Sequence, residues 1–200
     1  MPLRLLRHPL GGGFSAARVF AALHGGDSDV FWLDSGAVGT SYVGAGERWL
    51  PSHPVLDAVR AELAGPVPEA DPDAPPFRLG LVGWLGYEMR GETMGVPVAR
   101  TSRYPDASFL RVDRAVSIEA DGTAQLLALG ESWHGELAEW RDATSSRLGE
   151  LPSFPDAVPP ELGEGGNSTV RWHESDAQYL ENIAACQREI WEGEAYQLCL

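Results

Sequence analysis

The chain contains no lysine: all 15 of its basic residues are arginine. That absence excludes lysine Schiff bases, lysine nucleophiles and the lysine of a phosphate-binding P-loop. Asparagine is scarce as well, and nucleotide-composition bias in the source genome accounts for both. Cysteine is limited to Cys186 and Cys199. They form neither a C-x-x-C pair nor a disulfide framework, and both lie in apolar runs. They read as buried free thiols in a reducing compartment. Positive charge is in deficit. A net charge of −14 argues against nucleic acid, whose phosphates need clustered cations, and against an anionic membrane surface. No apolar run approaches the roughly 20 residues of a membrane helix. The first ten residues carry two arginines among their leucines and lack the apolar core of a signal peptide. A soluble cytoplasmic protein is the expectation. His8, His24, His53, His134 and His173 are scattered, with no H-x-H or H-x-x-x-H spacing, so no metal site is expected from them.

What is present suffices for a core. Apolar residues make up 44% of 200, enough for one large domain, or a domain and a fragment. In chain order, residues 3–6 read as an edge strand, and Gly11–Gly13 as a turn. Residues 15–24 read as a helix burying Val19, Phe20 and Leu23. Residues 29–33 and 40–44 read as neighbouring strands. Residues 52–63 read as a second helix, with Val55, Leu56, Val59 and Leu63 inward. The acidic, proline-rich stretch 66–76 reads as a loop. Residues 77–85 form a strand with glycines at 80, 83 and 86, which points to close sheet packing before ligand approach. That G-x-x-G-x-x-G spacing is not a dinucleotide fingerprint.

Residues 89–105 read as irregular. Residues 112–120 and 123–129 alternate around Asp121-Gly122, the signal of a type I′ hairpin. Residues 132–148 read as a helix capped by Ser132, with Trp133, Leu137, Trp140 and Leu148 inward. A linker is expected over 151–168, dividing a domain over 1–150 from a segment over 169–200. Within that segment, 169–173 reads as a short strand. Ser175 and Gln178 form a capping box, opening a helix that puts Tyr179, Ile183, Cys186 and Ile190 on one face. Gly193 ends it, and 195–200 reads as the first strand of a buried sheet. Such a strand needs a partner, so the chain reads as the front part of something larger. The element order indicates an α+β fold, a β-sheet domain with helices packed on it and incomplete at its C-terminus.

Few constellations carry chemistry. Glu88 and Glu92 are spaced to serve in acid–base work or to hold Mg²⁺, but a solvated loop is the simpler account. Glu194 and Gln197 lie beside an apolar strand, where a site and a structural network are equally good readings. No Ser/His/Asp arrangement is supported. The small-molecule candidate is Leu33-Asp34-Ser35. A strand ends there in a carboxylate and a hydroxyl, which suit the ammonium and carboxylate of an amino acid. Ordinary turn chemistry explains the same residues.

Three stretches, in order, resemble one family: FWLDS at 31–35, FRLGLVGWLGYE at 77–88, and Y-L-x-x-I-x-x-C-Q-x-x-I-x-x-G-E-x-Y-Q-x-C-L over 179–200. They are similar to the component I subunits of aminodeoxychorismate synthase and anthranilate synthase. The last matches the opening of the chorismate-binding domain. The resemblance implies a mixed, strongly curved, sandwich-like sheet, and amination of chorismate with ammonia from a glutamine amidotransferase partner. It implies Mg²⁺ for the full-length enzyme, and a tryptophan pocket to which Leu33, Asp34, Ser35, Ser41 and Tyr42 correspond. It carries no catalytic residue into this chain, because the family's metal-binding glutamates, catalytic histidine and lysine nucleophile lie beyond the GEAYQ segment. The LDS and GWLGYE forms favour the aminodeoxychorismate (folate) branch over the anthranilate (tryptophan) branch. The rival of another class is an autonomous amino-acid-binding module.

Overall fold

Strand β1 (Arg4–Gly11) begins the computed structural model, which describes residues 3–69, 71–72, 74–98, 102–151 and 174–198. Then follow α1 (Ala16–His24), β2 (Val30–Leu33), β3 (Ser41–Ala45), β4 (Glu47–Trp49), α2 (Val55–Leu63) and β5 (Gly80–Leu85). After them come α3 (Arg90–Met94), β6 (Ala107–Val112), β7 (Arg114–Ile118), β8 (Ala124–Gly130), α4 (Glu136–Gly149) and α5 (Asp176–Glu192). The chain divides into two compact units, Met1–Pro155 and Asp156–Leu200.

The first unit holds two sheets, ordered β1-β8-β7-β3-β2 and β4-β6-β5, and every described pairing is antiparallel. The sheets share strands. β3 pairs with β7 in one, and its continuation β4 pairs with β6 in the other. The two long strands bend at Gly46 and Asp113. Gly46 is required there, because a Cβ would lie 2.6 Å from the Arg111 carbonyl oxygen. The bend lets one curved sheet fold over itself.

Alternation then sorts side chains into three cores. Val43, Val116 and Leu126 face α1 and α4, with Val19 and Leu148. Tyr42, Ala115 and Leu127 point the other way and meet Phe31, Val112, Leu79 and Val82 between the sheets. Val55 and Met89 cover Ala107 and Phe109 on the outer face of the small sheet. The result is helices, sheet, sheet, helices. The α+β class and the curved, sandwich-like sheet agree with the expectation, but the mixed pairing does not: among the described residues every pairing is antiparallel.

Several element readings need correction. Helix α1 starts at Ala16, with Ser15 in the cap position before it. Helix α2 starts at Val55, not Ser52, and Leu63 is exposed. The stretch 89–105 contains α3, and strands β4 and β6 had no signal of their own. The hairpin turn is not type I′, which needs positive φ at both central residues. Only Gly122 has it, at 82°. Its N–H donates to the Glu119 carbonyl (2.9 Å), and the Glu119 N–H donates to that of Thr123 (2.8 Å). This is a three-residue loop with a left-handed glycine.

Ser132 does not cap α4. Its hydroxyl pairs with His134 Nδ1 at 2.7 Å, and Gly135 occupies the cap. Gly83 owes its place to sheet packing, since a Cβ would collide with the Ser108 carbonyl oxygen. The loop 66–76 is irregular but tethered to β1, through Glu69 N–H to the Leu3 carbonyl (3.0 Å), Arg4–Glu69 (3.0 Å) and Arg7–Asp71 (3.1 Å).

In the second unit, Ser175 Oγ accepts from the Gln178 N–H at 3.3 Å, one half of the capping box. The reciprocal half is absent, because the Gln178 amide donates instead to Asn182 Oδ1 (3.1 Å). Gly193 ends α5 with φ 83°. Residues 195–198 are not a strand. Residues 152–168 of the predicted linker, the predicted strand 169–173, and Cys199-Leu200 lie outside the described residues. Cys186 is a free thiol of intermediate exposure, not a buried one.

Candidate functional site

Strand β2 stops at Leu33 because the next residues turn the chain over. Asp34 Oδ1 accepts from the Gly36 N–H at 3.1 Å, a local turn made by the side chain itself. A 3₁₀ turn over Gly36–Val38 follows, and β3 returns antiparallel, with Leu33 opposite Tyr42. Ser41 Oγ binds both sides of this reversal. It donates to Asp34 Oδ1 (3.1 Å) and accepts from the Ser35 N–H (3.2 Å). Ser35 Oγ donates to the Thr40 carbonyl at 2.7 Å, and Thr40 Oγ1 donates to Glu119 Oε2 at 2.7 Å. The segment is therefore a cross-braced corner in which Ser41 is almost wholly buried.

The five candidate residues do not share one face. Asp34 and Ser41 line a hollow of about 290 Å³ with Phe14, Trp32 and Ile118, beside the start of α1. Tyr42 follows Ser41 on the same strand and so points to the opposite face. It is buried between the sheets against Phe77, with ring centroids 5.1 Å apart. Leu33 shares the parity of Phe31 and is 38% exposed. Ser35 does not line the hollow. The structure thus brings Asp34 and Ser41 together and separates Tyr42 from them. The hollow offers two carboxylates, Asp34 and Glu119, a fixed hydroxyl, the aromatic Trp32 stacked on Phe20 (5.7 Å), and apolar walls. That set suits a small amphipathic cation better than an anion.

Glu92, a candidate for acid–base work or Mg²⁺, has another task. Its carboxylate accepts from the N–H groups of Val55 and Leu56, both at 2.7 Å, and so caps α2 from a distant helix. Those two donors hold its pKa below the usual carboxylate range, the Leu56 bond most, against a smaller opposing desolvation. His53 lies 3.2 Å from Asp106 and 3.8 Å from Glu92. Among the described residues, no group of three His, Cys, Asp or Glu side chains is placed to hold a metal ion. No helix there is long and apolar enough to cross a membrane. The described residues do not offer a set that fits Mg²⁺.

Comparison with known proteins adds a family. A family model described as chorismate binding enzyme matches residues 28–200. An aminodeoxychorismate synthase of Streptomyces griseus is 36% identical over 126 residues, 62% of this chain and 17% of that protein. An anthranilate synthase component 1 of Streptomyces coelicolor is 29% identical over 209 residues, 93% of this chain and 40% of that protein. A chloroplastic aminodeoxychorismate synthase of Arabidopsis thaliana is 31% identical over 156 residues, 72% and 17%. The chain spans less than half the length of each of these relatives.

Proposed function

Because the chain belongs to the chorismate-binding enzyme family, we propose that it forms the N-terminal portion of a chorismate-aminating synthase subunit of the aminodeoxychorismate type. The observation that carries this reading is the family match over 28–200. Similarity to aminodeoxychorismate synthases from a bacterium and a plant favours that branch, and similarity to anthranilate synthase component 1 supplies the rival. In this reading chorismate, Mg²⁺ and ammonia from a glutamine amidotransferase meet in residues outside this chain. The described part serves as scaffold. Production of the full reading frame, supplied with chorismate, Mg²⁺ and ammonium, tests it. Aminodeoxychorismate is the expected product. Anthranilate would move the protein to the tryptophan branch, and no product from either route would remove the amination reading.

The hollow at Asp34 and Ser41 is proposed as the place where an amino acid, tryptophan by resemblance, is held. Asp34 Oδ1 is committed to the corner, and its second carboxylate oxygen accepts the ligand's ammonium. Ser41 is a positioning residue, since its hydroxyl is spent on Asp34 and Ser35. Calorimetry with L-tryptophan on wild type and Asp34→Asn checks this. Loss of a charge-assisted bond corresponds to binding about tenfold weaker. Equal affinity in the two proteins would sink the assignment.

A further inference from the structure

The small sheet ends in an open edge. Its order is β4-β6-β5, and among the described residues β5 pairs with β6 alone. The sheet edges of the first unit differ in how they are guarded. β1 carries Arg4, Arg7 and Pro9, and the loop 66–76 is tied to its start. β4 is three residues long and holds Glu47 and Arg48. β2 is four residues long, and its Trp32 is already stacked on Phe20. β5 has six residues, GLVGWL, with no charge and no proline. Trp84 is 43% exposed and Leu85 51%, and Trp84 makes no ring contact among the described residues. Charges, prolines and short length keep an edge from pairing with another chain, and β5 has none of them.

This edge is complementary to itself. Residues opposite one another in an antiparallel pair share a face, so a two-fold axis relating two copies of β5 must pass through a residue. An axis at Gly83 sets glycine against glycine, where no side chain crowds the approach. It sets Trp84 against Val82 of the second copy, and Leu85 against Leu81 of the second copy. Val82 belongs to the core between the sheets, and alternation puts Trp84 on the same face. An aromatic ring thus meets a β-branched side chain, a favourable cross-strand pair.

The same axis matches the charges at the two ends. Left-handed Leu79 (φ 70°) and Gly80 (φ 106°) end the ladder on one side, with Arg78 just before them. Glu88 lies in the 3₁₀ turn Tyr87–Met89, just past the other side. Neither side chain has a hydrogen-bond or ion-pair partner among the described residues. Arg78 and Glu88 lie equally far from Gly83 in the chain. Antiparallel pairing therefore brings Arg78 of each copy to the end that holds Glu88 of the other. Parallel pairing would set Arg78 beside Arg78.

From this arrangement we infer that two copies of the chain pair antiparallel along β5, joining their small sheets into one. A ladder of this length buries little beside the roughly 1,200 Å² of a stable interface, so the dimer is weak, with a Kd on the order of 0.1 mM. The inference is independent of the amination reading and of the amino-acid site.

Sedimentation equilibrium of the full 200-residue chain tests it, at about 0.15 M salt, where a Debye length of about 8 Å screens the repulsion between two copies of charge −14. The weight-average mass should rise from 21.6 kDa toward twice that as the concentration passes about 0.1 mM. R78E and E88R each set like charges at both ends of the ladder. Each should keep the wild-type circular dichroism and dimerise about tenfold more weakly. Mixed in equal amounts, the two variants should associate with about the wild-type affinity, because each copy then meets opposite charge at both ends. Amide hydrogen exchange on wild type gives a second reading that needs no variant: amides within Gly80–Leu85 should exchange more slowly as concentration rises. A monomer at every concentration would leave the edge to a strand of another protein and overturn the inference. So would association that both variants leave unchanged, weakening that the mixture does not reverse, or exchange in β5 that ignores concentration.

Discussion

At the scale of single residues, carboxylates that look available for chemistry in the sequence are spent on backbone. Glu92 is the clearest case. It caps α2 across 37 residues of chain to Val55 and 36 to Leu56. Its folded pKa is depressed. The stability it adds is therefore fully present above its unfolded value of about 4.3 and is lost as pH falls through the lower folded value. Glu92→Gln should lower Tm at neutral pH, and the gap from wild type should close as the pH drops below about 4. Thermal melts across that range check the sign. A gap that persists unchanged in acid would mean that the carboxylate's charge is not what holds the helix. Ser35 carries the same lesson. Its hydroxyl braces the Thr40 carbonyl at 2.7 Å, a bond spent within the corner.

At the scale of elements, β8 organises the first unit. It pairs with β1 on one side and β7 on the other. Its consecutive leucines are both fully buried, Leu126 facing α1 and α4 and Leu127 facing the space between the sheets. Leu126→Ala and Leu127→Ala should each cost about 2–5 kcal/mol, because each leaves a cavity in a different core. Urea unfolding of the two variants reads this directly. A change below about 1 kcal/mol in either would show that its side of the sheet is not a packed interior. The hairpin that ends in β8 was legible because Asp121-Gly122 marks a reversal whatever its exact type. β4 and β6 were not legible, because they pair with each other across a long stretch of intervening chain.

At the scale of the whole molecule, excess negative charge and scarce cations make the placement of each arginine informative. Two of them, Arg4 and Arg7, tie the acidic loop 66–76 to β1. These are exposed pairs, so salt should loosen them. At about 1 M ionic strength, where the Debye length falls to about 3 Å, cleavage after Glu69 by a glutamate-specific protease should accelerate relative to an unstructured control peptide. A ratio independent of salt would leave the single backbone bond from Glu69 to Leu3 as the tether. The sequence by itself determined the α+β class, the helix over 176–192 with its serine and glycine ends, the main hairpin and the family, because each depends on residues close in the chain or on a motif read in order. Only the tertiary structure decided which face of β3 lines the hollow and which meets the facing sheet, and that Glu92 serves as a remote cap. The physical reason is the same in both. Alternation along a strand is local, but what each face meets, and which helix end a carboxylate reaches, depend on the segments that folding brings together, and no local spacing encodes that.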